Sequence, residues 1–346
     1  MPYPAVSSTT STQESLPFVT VVIPVRNEER FIRETILQIL QQEYPLEKFE
    51  IIVADGLSSD TTRDIVGELS RQYEQVILMS NPGQLPSSGR NVGFRNGKGE
   101  LFLVIDGHCL IENRKMLKEM AEAFSQSGAA CLGRPQPFYI PEQPGWQRAI
   151  AIARTSRLGH SSNSLIHSKF EGIIDPTSVG CAYKREVFAK IGYVDESFDA
   201  CEDVEFNYRV KEAGFKSYFT YKIAVTYFPR ENLSGLWKQL VRYGEGRARF
   251  MMKHTRTLNF DMLLPVLFTL GVSAGWLMGF FHWFFLLLWI LVLGIYLCIV
   301  SGVSVSLRKS EPFTFVFKLI AVLFVVHFSL GFGILKCFLK KWFKRI

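Results

Sequence analysis

Asp106 and His108 close an apolar run in the stretch LFLVIDGHCL, residues 101–110. A buried strand that stops at a carboxylate and an imidazole is a place where chemistry can sit. If the chain stays extended past Gly107, the two side chains project the same way. A mixed oxygen and nitrogen pair then suits Mn²⁺ or Mg²⁺ sharing its shell with phosphate oxygens. Asp55 ends a second apolar run, IIVADG. Asp-Gly is ordinary turn chemistry, and either pair alone reads that way; two at strand ends point to a site. Glu202 and Asp203 open a helical stretch that carries Arg209. The helix dipole favours an ionised carboxylate there, which makes Asp203 a competent base at neutral pH; a plain acidic cap is the other reading. In WKQLVRYGEGRARF, Gln239 and Arg242 occupy adjacent positions of one helical face. Arg242 can hold a leaving diphosphate with two parallel hydrogen bonds, or lie against lipid headgroups.

The elements that must position these residues follow from apolar periodicity. Residues 18–24 (FVTVVIP) read as a strand, and Phe31, Ile32, Thr35, Ile36, Ile39 and Leu40 form one helical stripe after it. The unit repeats: strand 49–54, helix-start chemistry at 58–60 and helix 61–73, then strand 75–79, helix 87–96 and the strand of the opening stretch. Alternating strands and helices predict an α/β domain with a mostly parallel sheet. Ligands gather at the carboxyl ends of such strands, the edge where Asp55 and Asp106 stand. Residues 133–177 read as less regular, with four prolines before Trp146 and the polar stretch RTSRLGHSSNS, a segment expected to face substrate. A helix is predicted over 204–213, closed by Gly214.

Hydrophobic residues make up 48% of the chain, and they are unevenly spread. Residues 262–307 are 46 positions without one Asp, Glu, Lys or Arg, whereas a membrane-crossing helix needs only about 20. Two crossings fit, turning near Gly279, His282 and Trp283. A third full crossing by 313–335 would carry Lys336, Lys340, Lys341, Lys344 and Arg345 to the far side, against the positive-inside tendency. A re-entrant or interfacial third segment, with Lys318 and His327 in it, is therefore expected. The formal charge of +7 concentrates beside the apolar block (Arg247, Arg249, Lys253, Arg256) and at the C-terminus. That layout suits an anionic membrane face and not nucleic acid. Six cysteines form no CxxC pair and read as free thiols of a reducing compartment. Residues 1–17 lack a basic segment followed by an apolar one, and read as a disordered leader. No GxxxxGK[ST] occurs and no strand leads into GxGxxG, which disfavours Walker-type and Rossmann dinucleotide enzymes.

In order, VVIPVRNEERFI, IIVADGLSSDTT, GRNVG, IDGH, DESFDACEDVEFNYRVKEAGF and QLVRY resemble the inverting family-2 glycosyltransferases of GT-A fold over about residues 18–250. The DGH variant and RYGEGRAR look like the membrane-bound enzymes of exopolysaccharide assembly. The resemblance implies that Asp55 holds a uracil ring, that Pro24, Arg26 and Glu28 line the nucleotide, and that Arg90 is the arginine of an ARN-like motif. It places the metal motif on Asp106, with His108 where a second Asp is usual, and the ED motif on Glu202 and Asp203, the latter as base. QxxRW falls on Gln239 and Arg242, with Tyr243 in place of Trp, which weakens a processive reading.

The expectation is a leader (1–17), a GT-A domain on the cytoplasmic side of the plasma membrane (18–250) and a multi-pass membrane region with a basic tail (251–346). The enzyme would transfer a sugar from a nucleoside diphosphate donor, UDP first, to a lipid-linked or saccharide acceptor, among other polysaccharide-assembly proteins. A processive synthase and a non-catalytic sugar-nucleotide-binding membrane protein are the alternatives; Glu202 and Asp203 together speak against the second.

Overall fold

The computed structural model describes residues 16–160, 165, 166, 168–177, 180–258 and 260–343. The expected leader therefore lies outside the described residues except for Leu16, which packs on the core, and Pro17.

Strands β1 (Val19–Val25), β2 (Phe49–Asp55), β3 (Val76–Ser80) and β4 (Leu101–Val104) alternate with helices α1 (Ile32–Leu40), α2 (Thr62–Gln72) and α3 (Pro86–Asn96). β3, β2, β1 and β4 lie side by side in parallel. β1, β2 and β4 follow from runs of mostly β-branched and aliphatic residues buried on both faces, while β3, at the sheet edge, is buried only at Val76. After the two-residue strand β5 (Cys109–Leu110) and α4 (Met116–Ser127), the chain changes manner. β6 (Cys131–Gly133), β7 (Gly172–Ile174), β8 (Ala182–Lys184) and β9 (Ser217–Phe219) are three residues each, and they extend the sheet in the order β4-β8-β6-β9-β7. β8 is antiparallel to both β4 and β6. The sheet is thus parallel where the helices alternate and mixed beyond β4.

Period-two alternation sends successive side chains to opposite faces. Val19, Val21, Ile23, Leu101 and Leu103 bury against α1, α2 and α4. Val22, Phe102, Val104 and Tyr183 bury against α3, α6 (Arg185–Ile191) and α7 (Glu202–Glu212). α3 can settle so close to β1 because Gly93 faces Val22; a Cβ there would stand 2.3 Å from a Val22 methyl.

A third cluster lies beside this sandwich. It joins α5 (Trp146–Thr155) and α8 (Leu233–Lys253) to α10 (Trp283–Arg308) and α11 (Phe315–Phe343) through Ala149, Ile150, Leu236, Val300, Leu319 and Leu323. Helix α5 falls in the segment expected to be irregular. α9 (Phe260–Ala274) and the 3₁₀ turn after it lead into α10 by way of His282, which caps Phe284 N–H, where the sequence placed a turn. Among the described residues three helical segments are long and apolar enough to cross a membrane: Leu263–Phe280, Trp283–Arg308 and Phe315–Phe343.

The third segment is one continuous helix, which overturns its re-entrant form. Its contacts with α8 advance together in sequence: Trp237 stacks near Phe328 and Phe332, Gly244 backs onto Gly333, and Glu245 pairs with Lys336 at 2.7 Å. The two helices therefore run parallel. At the other end Arg148 of α5 binds Glu311, just ahead of α11, at 2.6 Å. On its opposite face Gly331 admits the Pro265 carbonyl of α9. Thus α11 lies between α8 and the α9–α10 hairpin, held at both ends by α5 and α8. The α10 span is 6% buried within the protein against 39% for α11.

Candidate active site

The loop after β1 is fixed before any ligand arrives. Asn27 donates its N–H to Ser58 Oγ and accepts from Ser59 N–H, each at 2.9 Å. Glu29 accepts from Thr61 N–H at 3.0 Å, and Glu28 N–H donates to Thr62 Oγ1 at 2.7 Å. These bonds zip the β1 loop to the β2 loop and leave Pro24, Arg26 and Glu28 on the wall of a cavity of about 1200 Å³. Among the described residues five non-glycine residues have positive φ; two of them, Gln84 and Cys201, line this cavity, and two more, Asn27 and Leu57, stand in the β1 and β2 loops. Strain of that kind concentrates at functional sites.

Asp106 lines the cavity half-buried, and its carboxylate accepts no hydrogen bond from any described residue. The chain does not stay extended beyond it. Gly107 and His108 turn into β5, which corrects the expectation that the two side chains project together from one strand. His108 instead gives Nδ1 to Glu28 Oε1 at 2.9 Å, with Nε2 buried and unpartnered. Burial lowers the His108 pKa, but Glu28 outweighs it and the net shift is upward. A histidine whose Nδ1 rests on a carboxylate presents Nε2 to a metal in the correct tautomer. Among the described residues no three His, Cys, Asp or Glu side chains form a metal cage. Asp106 and the unpartnered His108 Nε2 are the donors on this wall that could hold a Mn²⁺ or Mg²⁺, with phosphate and water as its remaining ligands.

Asp55 is placed differently from the sequence expectation. It is fully buried, its carboxylate accepts from Ser58 N–H at 3.3 Å and from Arg63 at 3.4 Å, and it does not line the cavity. Arg63 is on the first turn of α2, so helix and strand end hold each other.

Arg90 projects from α3 and pairs with Glu202 at 3.2 Å. Burial pulls its pKa down, yet Glu202, Asp203 and Asp106 hold the guanidinium charged. Burial pushes Glu202 up to about 7 against the pull of Arg90, and the Asp203 charge adds to the rise. Asp203 is half-buried on the cavity wall, with Oδ1 receiving its neighbour Val204 N–H at 2.8 Å. The two adjacent acids therefore differ: one is held by arginine, the other is open. Gln239 gives Nε2 to Tyr227 and Tyr243 hydroxyls at 3.4 and 3.3 Å, which ties α8 to β10 (Thr226–Tyr227). Arg242 faces Asp199 at 3.7 Å.

The structure thus gathers Pro24, Arg26, Glu28, Arg90, Asp106, His108, Glu202, Asp203, Gln239 and Arg242 around one cavity and leaves Asp55 outside it. Arg154, Leu158, Gly159 and His160 of the stretch RTSRLGHSSNS line the cavity too, on the side expected to face substrate, whereas the lining arginines Arg134 and Arg230 were not singled out by sequence. Arg134 directly follows the apolar run that ends in Gly133, a signal of the same kind as Asp106.

Residues 20–192, half of the chain, match Glycosyl transferase family 2. The chain belongs to this family. The transferase is 27% identical over 90% of its length to the succinoglycan biosynthesis protein ExoA of Rhizobium meliloti (strain 1021), of which 93% is covered. It is 25% identical over 93% of its length to the dolichyl N-acetyl-alpha-D-glucosaminyl phosphate 3-beta-D-2,3-diacetamido-2,3-dideoxy-beta-D-glucuronosyltransferase of Methanococcus voltae, covering 98% of that protein. The mannosyltransferase PcManGT of Pyrobaculum calidifontis, solved with GDP-Man and Mn²⁺, shares its fold with a TM-score of 0.54 at 17% identity, over 90% of this chain and 86% of that one. The fold is the GT-A type, with a mainly parallel sheet, that the sequence motifs led one to expect.

Proposed function

We propose that the transferase moves one sugar, with inversion, from a nucleoside diphosphate donor to a lipid-linked acceptor in polysaccharide or glycolipid assembly. UDP sugars are the first donors to try. The carrying observation is that the wall holding Asp203 and Asp106 continues without a break to Pro265 and Phe268 of α9 and Val326 and Leu330 of α11. An acceptor can therefore keep its tail among membrane helices while its sugar reaches the acids. The name of the Methanococcus voltae relative, a transferase acting on a dolichyl-phosphate-linked sugar, supports the same class.

Asp203 takes the proton of the acceptor hydroxyl, and that oxygen attacks the anomeric carbon from the face opposite the leaving diphosphate. Glu202, held by Arg90, keeps the first turn of α7 in place. Arg242 takes up charge on the departing diphosphate. A Mn²⁺ or Mg²⁺ held by Asp106 and His108 Nε2 would neutralise further charge there. Tyr227 and Tyr243, both half-buried, line the cavity beside the reacting centre and are joined there through Gln239.

The catalytic domain is assigned to the cytoplasmic side, with α9 and α10 crossing the membrane as a hairpin and α11 lying at the interface. Both ends of α11 are bound to the domain by ion pairs. This keeps Lys336, Lys340 and Lys341 on the side from which the hairpin starts, as the positive-inside tendency requires. A C-terminal reporter active only outside the cytoplasm would overturn this topology.

The activity is tested by incubating the purified chain in lipid nanodiscs with individual UDP and GDP sugars and a polyprenyl-linked saccharide fraction. Product anomeric configuration is then read by NMR. Transfer to free saccharides with none to lipid-linked ones would remove the acceptor assignment; retention of configuration would remove Asp203 as base.

A further inference from the structure

The cavity carries more positive charge than the reading above uses. Arg134 is only 2% exposed; Nη2 donates to Val104 O at 2.9 Å, and Nε and Nη1 are buried without a partner. Arg230 Nε is likewise buried without a partner. Neither Arg134, Arg154 nor Arg230 has a carboxylate partner among the described residues, although all three line the cavity. Arg154 and Arg230 are half-buried, but a fully buried guanidinium left as Arg134 is, with unpartnered N–H groups, is costly, and proteins keep one where an anion completes the set.

The position of Arg154 says which anion. Its guanidinium lies over the Phe138 ring, 4.9 Å from the centroid, a contact that leaves its N–H edge free. One turn later, the Leu158 carbonyl accepts from His327 Nε2 of α11 at 2.8 Å, and His327 Nδ1 meets the Tyr296 hydroxyl of α10 at 3.0 Å. Arg154 therefore stands at the seam between the sheet and the membrane helices. Burial lowers its pKa, the neighbouring Tyr243 and Tyr227 oppose that, and the charge of Arg230 adds to it. Asp106 shares the neighbourhood of Tyr227 but is assigned to the metal.

Resting on the lipid-acceptor reading, we infer that Arg154 and Arg230, with Arg134 behind them, form a second anion subsite that binds the phosphate or diphosphate of the membrane lipid, separate from the donor's diphosphate. The lipid tail leaves along Phe268, Val326 and Leu330.

The test uses the full chain in nanodiscs and two probes with one tail, geranylgeranyl diphosphate and geranylgeraniol. Binding is read by thermophoresis, with UDP and GDP binding and melting temperature measured on the same samples. Wild type should bind the diphosphate at least tenfold more tightly than the alcohol. Arg154→Gln and Arg230→Gln should each weaken it by roughly tenfold or more, the scale of a lost charge-assisted pair, with UDP and GDP affinity kept. Arg154→Lys, which retains charge but not the planar fork, should fall between. Equal binding of diphosphate and alcohol overturns the subsite, as does unchanged binding in both Gln variants. Displacement of the probe by UDP or GDP overturns it too, because the anion would then be in the donor site. Loss of nucleotide binding in Arg154→Gln has the same meaning. None of these readouts involves sugar transfer, so failure here leaves the glycosyl-transfer reading to be judged by its own assay.

Discussion

The corner at Asp55 and the corner at Asp106 are built from the same local sequence, a buried strand, an aspartate and a glycine, on neighbouring parts of one sheet edge. At the first, Ser58 N–H and Arg63 satisfy the carboxylate, and no face is left for a ligand. At the second, the chain turns away through Gly107 and the carboxylate faces open volume. An acid with partners in the protein holds structure; an acid without them is available for chemistry. Helix α7 repeats the contrast within one turn. Asp203 opens on the cavity, while Glu205, fully buried, is shared by Arg209 at 3.0 Å, Lys253 at 2.7 Å and His254 at 3.1 Å.

The contrast is broken most decisively at Asp203. Asp203→Asn should lower transfer by about 10²- to 10⁴-fold with donor binding kept, measured as turnover and nucleotide affinity on one preparation; near-normal turnover would move the base elsewhere. Asp106→Asn should lower turnover by about 10²- to 10³-fold and weaken Mn²⁺-dependent donor binding, while its melting temperature stays within a few degrees of wild type. The satisfied acids should behave in reverse. Glu205→Gln removes the buried charge that Arg209 and Lys253 share, at a cost of about 2 kcal/mol once the exposure of Lys253 is allowed for. Calorimetry should show melting lowered by roughly 5 °C. Burial raises the Glu205 pKa, but Arg209, Lys253 and the hydrogen bond from His254 outweigh it and hold the pKa below the ordinary value. That stabilisation is present above the ordinary glutamate pKa and is lost as pH falls through the folded one, so the variant should lose part of the wild-type sensitivity to acid. Asp55→Asn should cost about 1 to 2 kcal/mol and affect turnover less than Asp106→Asn; the opposite order would mean that Asp55 leaves its partners to meet the donor.

The smallest effect is at Glu202. Its pKa is raised to about 7, so its contribution favours the fold below the ordinary glutamate value and fades as pH climbs through about 7. Glu202→Gln should flatten that part of a melting-versus-pH curve, a slope opposite in sign to the one Glu205 supplies.

The first half of the fold was legible because β1 to β4 are long apolar runs whose burial depends on few distant partners. The order of α1 to α3 followed from the stripes between them. The second half was not, since β6 to β9 are three residues each and are defined by pairing rather than by composition. Helix α5 hid behind prolines and a polar tail, its buried face made largely of Ala149, Ile150 and Ala153. Around the site, residue types and spacing brought out the acids, Arg90 and the Gln239–Arg242 pair. They could not show that Arg63 folds back on Asp55, or that Glu28 reaches His108 across 80 positions of sequence. The segment that begins at Arg154 was expected to face substrate, but its helix α5 and its contact with α11 depend on the far end of the chain and were not legible.

The left-handed residues around the rim have a consequence for anyone breeding heat-tolerant variants of this enzyme. A side chain in that conformation costs about 1 to 2 kcal/mol relative to glycine's freedom to adopt it. Gln84 (φ 57°), on the cavity wall, and Leu57 (φ 55°), in the exposed loop after β2, are two such positions. Selection for melting temperature alone would drift toward glycine there, because relief of strain is an easy gain. The same change widens the range of shapes open to loops that now arrive at the donor already set. Thermal tolerance and donor affinity should therefore pull in opposite directions at these two codons, and a library scored on both traits would show the trade first at the rim and not in the core.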